Sequence, residues 1–166
     1  MSLSNLASGS SVFIDANIFV FSFAPDPQFG PFCGQLLERI ERKDLRGITS
    51  SQVLSDVAHR LMSLEACATF GRPYAGIVAR MQRHPNEIKK LARFRQAVES
   101  VTIIGVEVLP VLAKHVESAA AISQQHGLLS NDALVLAMMQ ESGLSQLASH
   151  DTDFDRVQSI TRFAPV

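Results

Sequence analysis

Hydrophobic and polar positions along this chain fall in short blocks whose period switches between that of a strand and that of a helix. Val12, Phe13 and Ile14 form an unbroken apolar run that predicts a buried strand over 11–15. "PFCGQLLERIERKD" (31–44) spaces Phe32, Leu36, Leu37 and Ile40 along one helix face, and "LRGIT" (45–49) predicts a short strand. "SSQVLSDVAHRLMSLEAC" (50–67) opens with Ser50 or Ser51 as an N-cap and lays Val53, Leu54, Val57, Leu61 and Leu64 in one stripe, as an amphipathic helix does. Residues 70–100 predict one or two helices interrupted at Pro73 and Pro85, and "TIIGVEVLPV" (102–111) reads as strand-rich. Two more helices follow: 113–127, closed by Gly127, and 130–143, with Ser130 or Asn131 as cap and Gly143 as stop. Short strands are expected at 145–149 and near 160–165.

Strands alternating with helices define the expected fold class: α/β, a three-layer α/β/α sandwich around a mostly parallel sheet. Residues 11–166 read as one domain behind a polar N-terminal lead, 1–10, with a basic helical segment at 70–100 inside it. The lead lacks a basic flank and an apolar stretch, and no apolar run approaches the roughly 18 residues of a membrane span, so a cytoplasmic protein with no membrane partner is expected. Cys33 and Cys67 lack metal-type spacing and read as core residues.

Charge changes the picture. The net value of −1 argues against a dedicated nucleic-acid binder, but its distribution is uneven. Residues 72–95 hold seven Lys or Arg and one acid, a local +6, against 8 bases and 15 acids elsewhere. Such asymmetry steers a polyanion to one edge, or is simply the solvated face of helices.

The acids follow a rule of open α/β sheets, that functional groups gather beyond the carboxyl ends of strands. Asp15 ends the first strand; Asp56 lies in the second turn of the helix after the second strand; Asp132 sits in the first turn of its helix. Asp151 follows the strand at 145–149, with Asp153 and Asp155 behind it. Each has a plainer reading. Asp132 favours a helix N-terminus through the macrodipole, Asp151 to Asp155 suit a polar turn, and Asp56 borders its apolar stripe. Asp15 is harder to dismiss, because a carboxylate after Val-Phe-Ile is desolvated at a cost of several kcal/mol unless something pairs with it. Carboxylates held close raise one another's pKa unless a cation is supplied, and hard oxygen ligands without Cys or His favour Mg²⁺ or Mn²⁺ over zinc. That combination suits hydrolysis of a phosphodiester.

Taken in order, "VFIDANIFV", "ITSSQVLSDVAHRLM", "SNDALVLAMMQESG" and "LASHDTDFDRV" resemble the PIN domain family, and within it the VapC-type toxins, over about residues 11–164. The resemblance implies a sandwich of helices around a parallel sheet and a Mg²⁺- or Mn²⁺-dependent endoribonuclease leaving 5′-phosphate products. It also implies RNA as substrate, an antitoxin that inserts into the active-site groove, and a homodimer. It gives Asp15, Asp132 and Asp151 as metal ligands and catalytic acids, with Asp153 as accessory ligand. Asn17 and Ser149 flank them as candidate substrate contacts, joined by Arg80, Arg83, Lys89 and Lys90 of the basic segment. The second family acid is usually Glu; here Asp56, one methylene shorter, takes its place, since Glu65 lies half a helical turn away. That departure keeps a second reading open, a PIN-fold module that binds RNA or protein without cutting. A haloacid-dehalogenase-type phosphatase also starts with Asp after a buried strand, but needs a second Asp where this chain has Asn17.

His150 and Arg156 beside Asp151 read as loop and surface ion pair, or as substrate contacts. Tyr74 is the sole Tyr and Trp is absent, which argues against aromatic stacking as the main mode of RNA recognition.

Overall fold

A computed structural model describes all of Met1–Val166. Five parallel strands, β1 (Ser11–Ile14), β2 (Arg46–Ser50), β3 (Glu107–Leu109), β4 (Gln146–Ala148) and β5 (Thr161–Phe163), form one sheet in the order β3-β2-β1-β4-β5. β1 lies at its centre, and Val12, Phe13 and Ile14 are all fully buried, as a strand covered on both faces requires.

Between the strands run α1 (Ala16–Phe23), α2 (Gly30–Glu41), α3 (Ser51–Phe70), α4 (Ile77–Arg83), α5 (Pro85–Ile88), α6 (Arg93–Ile103), α7 (Ala113–His126) and α8 (Ser130–Glu141). Right-handed crossovers place α1–α6 on one face of the sheet and α7–α8 on the other. The main core packs the sheet against α1–α3 and extends to Val135, Met138 and Met139 of α8; Ala119 and Ile122 of α7 meet Ala133 and Ala137 of α8 in a second cluster. Gly47 lets α2 approach the sheet: a Cβ there would stand 2.7 Å from Ile40 Cδ1 and 3.0 Å from Ile14 Cδ1.

The chain builds β1, β2 and β3 toward one edge, then returns to lay β4 and β5 on the other side of β1. The strand order therefore reverses between β1 and β4, and a crevice opens beyond their carboxyl ends, where ligands bind in open α/β sheets.

Two local expectations need correction, and two stretches gain a structure that the pattern did not assign. Residues 16–23 continue the apolar run of β1 but form α1, because Asp15 ends the strand and caps a helix with its side chain. The polar lead is not loose: Leu3 and Leu6, on a 3₁₀ turn at Leu3–Asn5, are buried in the core, and the Leu3 N–H donates to Ala164 O at 3.0 Å. Thr102 and Ile103, read as strand, are the last turn of α6, anchored by the fully buried Val101; β3 keeps only Glu107–Leu109. Finally, α8 is preceded by Leu129 as N-cap without a side-chain bond, so Ser130 and Asn131 are helical and neither is the cap. Ser50 does cap α3, its hydroxyl accepting the Val53 N–H at 3.2 Å, and Gly127 ends α7 with φ of 66°. Cys33 is buried and Cys67 half-buried. No helix is long and apolar enough to cross a membrane.

Candidate active site

Asp15 stands one residue beyond β1. Its Oδ1 accepts the Ala16 N–H at 2.6 Å, and its Oδ2 accepts the Ser149 hydroxyl at 2.7 Å and the Asn17 amide N–H. Ser149, fully buried at the end of β4, also accepts the Asp151 N–H at 3.0 Å and the Asn17 amide at 3.1 Å. With one donation and two acceptances, this hydroxyl has used its hydrogen-bonding capacity. Asn17 Oδ1 in turn accepts the His150 N–H at 3.0 Å. One buried hydroxyl and one amide thus lock the end of β1 to the loop after β4. Arg162 of β5 braces that loop from below, donating to the Ser149 carbonyl at 3.1 Å while paired to Asp155 at 2.7 Å.

Asp151 caps the 3₁₀ turn Thr152–Arg156, its Oδ1 accepting the Asp153 N–H at 2.9 Å. Asp132 projects from the first turn of α8. Asp56, on α3, accepts from the Gln52 amide at 3.2 Å and, at a longer 3.4 Å, from the Asn131 amide. Asp15, Asp56, Asp132 and Asp151 line one cleft of about 270 Å³, together with Ser50, His59 and Arg60.

The balance of charge in this cleft is its main property: four carboxylates face a single guanidinium, Arg60. Asp132 is pushed up to about 6, first by burial and then by the negative charges of Asp151, Asp15, Asp153 and Asp56. Burial also raises Asp15 above the ordinary carboxylate range, outweighing the donors Ser149 and Ala16, with Asp151 adding to the rise and Arg60 opposing it. Asp56 is raised by burial against the Gln52 hydrogen bond and the charges of Arg60 and His59.

The donor set is hard oxygen, without a thiol, and carries more negative charge than the protein neutralises; its chemistry fits Mg²⁺ or Mn²⁺. No three Asp, Glu, His or Cys side chains close on one point as a ready-made cage, since Asp15 and Asp151 turn oxygens toward protein donors. Mg²⁺ leans on one or two carboxylates and keeps several waters, so the fit is one of charge and donor type.

Among the residues singled out from sequence, Asp15, Asp56, Asp132 and Asp151 come together. Asp153 stands beside them but is paired to Arg156 at 2.8 Å and does not line the cleft. Asn17 and Ser149 spend their polar groups on Asp15 and its loop, which makes them positioning residues where substrate contacts were expected. Arg80, Arg83, Lys89 and Lys90, expected as substrate contacts, lie outside this cleft. Ile77, Met81 and Leu91 pack their segment against Ala66, ten residues and about 15 Å along α3 from Asp56. Arg80 is further tied to Glu87 at 2.9 Å. Glu65 faces away from the cleft and accepts the N–H groups of Ala92, Arg93 and Phe94 at the start of α6. His150 packs at a tilt of 43° against Phe29 with ring centres 4.4 Å apart and meets Phe21 edge-on at 5.6 Å. Gln52, His59, Arg60 and Asn131 were missed. The spacing 52, 56, 59, 60 marks one helix face, a signal available in the sequence once Asp56 is taken to face the site.

A parallel α/β sandwich with acids from four segments at the reversal point of its sheet defines a class of protein built around an acidic cleft. The PIN domain family model matches residues 12–160, and the chain belongs to that family. Its fold is similar to VapC20 of Mycobacterium tuberculosis, described as a sarcin–ricin loop cleaving toxin, with a TM-score of 0.58, 18% identity and coverage of 89% of this chain and 95% of that one. VapBC2 of Rickettsia felis, solved with a DNA fragment from the promoter, matches with a TM-score of 0.54 and 16% identity over 93% of this chain and 98% of that one. A toxin–antitoxin complex from Klebsiella pneumoniae gives 0.53 and 17% identity, over 90% and 95%. No curated protein matches the chain in sequence.

Proposed function

We propose that this PIN domain is a Mg²⁺- or Mn²⁺-dependent endoribonuclease acting as the toxin of a VapBC-type pair. The observation that carries the reading is the cleft in which Asp15, Asp56, Asp132 and Asp151 meet without a compensating cluster of protein cations. Asp15, Asp132 and Asp151 would hold the cation, with Asp153 beside them and Asp56 reaching it through water. When bound, the cation supplies Lewis acidity toward water and the phosphodiester and offsets the charge that develops on phosphorus.

The chain's own residues do the rest. Ser149 and Asn17 fix Asp15 in one orientation, and the Asp151 N–H held by Ser149 keeps the second ligand in register with the first. Asp132, raised to about 6 by burial and its acidic neighbours, is a carboxyl whose ionised form positive charge in the cleft would favour. Arg60 is placed to meet a phosphate oxygen at the outer wall. An antitoxin partner belongs to the same proposal, supported by the toxin–antitoxin assemblies among the similar structures, and a homodimer is proposed with it from the resemblance alone.

Incubating the chain with RNA and Mg²⁺ or Mn²⁺ tests the reading: cleavage to 5′-phosphate ends, lost on chelation and in Asp15→Asn, is expected, and intact RNA would overturn it. Asp56 in place of the usual Glu favours a second reading, a PIN module that binds without cutting. Asp56→Glu separates the two, since a binding module stays inert in both forms.

A further inference from the structure

Beside the acidic cleft lies a second cavity, of about 370 Å³, lined by Val20, Phe21, Pro25, Asp26, Leu64 and Tyr74 and sharing Arg60 with the cleft. Its volume falls within the roughly 300–1,000 Å³ of small-ligand pockets. Two aromatic rings and an aliphatic floor face it. Phe21 is itself fixed, with its ring centre 5.1 Å from Phe29, which packs at a tilt against His150 at the loop that carries Asp151. The carboxylate in the cavity, Asp26, is turned to its own loop, accepting the N–H groups of Gln28 at 3.0 Å and Phe29 at 2.7 Å. Arg60 forms no salt bridge, although two acidic residues, Asp15 and Asp56, feel its charge. An unpaired guanidinium between an acidic cleft and an aromatic cavity is complementary to a phosphate that carries a base on one side.

We propose that this cavity is a nucleobase subsite of the same active site: a single-stranded RNA whose scissile phosphate lies in the acidic cleft places an adjoining base between Tyr74 and Phe21, with Arg60 on the linking phosphate. The inference rests on the ribonuclease reading and adds where substrate is gripped. Every base has a π face, so the subsite favours unpaired nucleotides over duplex.

Tyr74 is the only Tyr and the chain has no Trp, so intrinsic emission reports on this cavity alone. The intact protein with Mg²⁺ is titrated with a short phosphorothioate-linked oligoribonucleotide and with an abasic strand of equal length, recording tyrosine emission corrected for nucleotide absorption. Binding is followed in parallel by anisotropy of an end label. Saturable quenching is expected with the base-bearing strand and not with the abasic one. Tyr74→Ala should weaken binding at least about fivefold, Tyr74→Phe should preserve it, and Arg60→Ala should weaken both strands. A strand that binds with unchanged emission, or binds Tyr74→Ala as tightly as wild type, overturns the subsite while RNA cleavage leaves the ribonuclease reading standing. Equal quenching by the abasic strand likewise overturns it. Failure of wild type either to bind or to cleave RNA overturns both.

Discussion

The acidic cleft and the basic segment at 72–95 are the two concentrations of charge in this molecule, and they are handled in opposite ways. In the segment, Arg80 is paired to Glu87, Arg95 lies 3.5 Å from Glu99, and Arg83, Lys89 and Lys90 stand in solvent. In the cleft, four half-buried carboxylates share one cavity with a single guanidinium on its wall, and the pKa of Asp132 rises to about 6. A surface charge that is paired or hydrated contributes little and marks nothing. Like charges held together under partial burial act against stability, and that arrangement marks a candidate site.

The largest effect that would break this contrast is on cleavage. Asp132→Asn should reduce metal-dependent RNA cleavage by at least about 10²-fold, beyond the loss typical of an outer-shell change; near-normal rates in a gel assay would remove the cleft from the chemistry. Ser149→Ala comes next. It leaves Asp15 and the Asp151 N–H each short of a buried partner. A loss of about 1–3 kcal/mol in stability is expected by denaturant titration, with activity down about 10–100-fold.

Asp132→Asn should also do the opposite to the fold, and the sign follows from its titration. The folded pKa near 6 exceeds the unfolded value of 3.8, so between them the native state holds more protons. Stability therefore falls as pH rises from about 4 to 6 and stays lower above. In chelator at pH 8, Asp132→Asn should melt a few degrees higher than wild type, on the order of 2–4 °C per kcal/mol gained for a chain of this size. The difference should shrink below pH 4, and a variant that melts lower at pH 8 would show that Asp132 is held by an attraction instead. Lys89→Ala and Lys90→Ala should give the smallest effects, within about 0.5 kcal/mol in stability and a twofold change in cleavage rate. A loss comparable to Asp132→Asn would bring the segment back to the site.

Asp15, Asp132 and Asp151 were legible because each is set by a local rule, after a strand or at the start of a helix, and Asp56 because it is the acid in the segment where the family has its second one. What was missed was decided at longer range. The run Ala16–Phe23 is apolar on nearly all sides and carries no helical period; its helix is fixed by Asp15 reaching the Ala16 N–H and by packing on α2 and α3. Thr102 and Ile103 carry strand propensity, but they follow Val101, whose burial in the core holds the helix. Asn17 and Ser149 were noticed for their position, and their part in holding Asp15 depends on a pairing across 132 residues that no local pattern displays. The place of the basic segment was not legible, because density of charge is visible in a sequence and the ion pairs and packing that set it outside the cleft are not.

Gly47 sets a limit on how this protein can vary. Its Cα lies under α2, where an added methyl would meet Ile40 and Ile14, the residue immediately before Asp15. Drift at position 47 is therefore tied to drift at position 40. A lineage that acquires Ala there must first, or simultaneously, shorten the isoleucine above it, so the two sites should change as a pair. Gly47→Ala alone should lower the melting temperature, and Ile40→Val in the same chain should return part of the loss, a non-additivity that a double-mutant cycle reads directly.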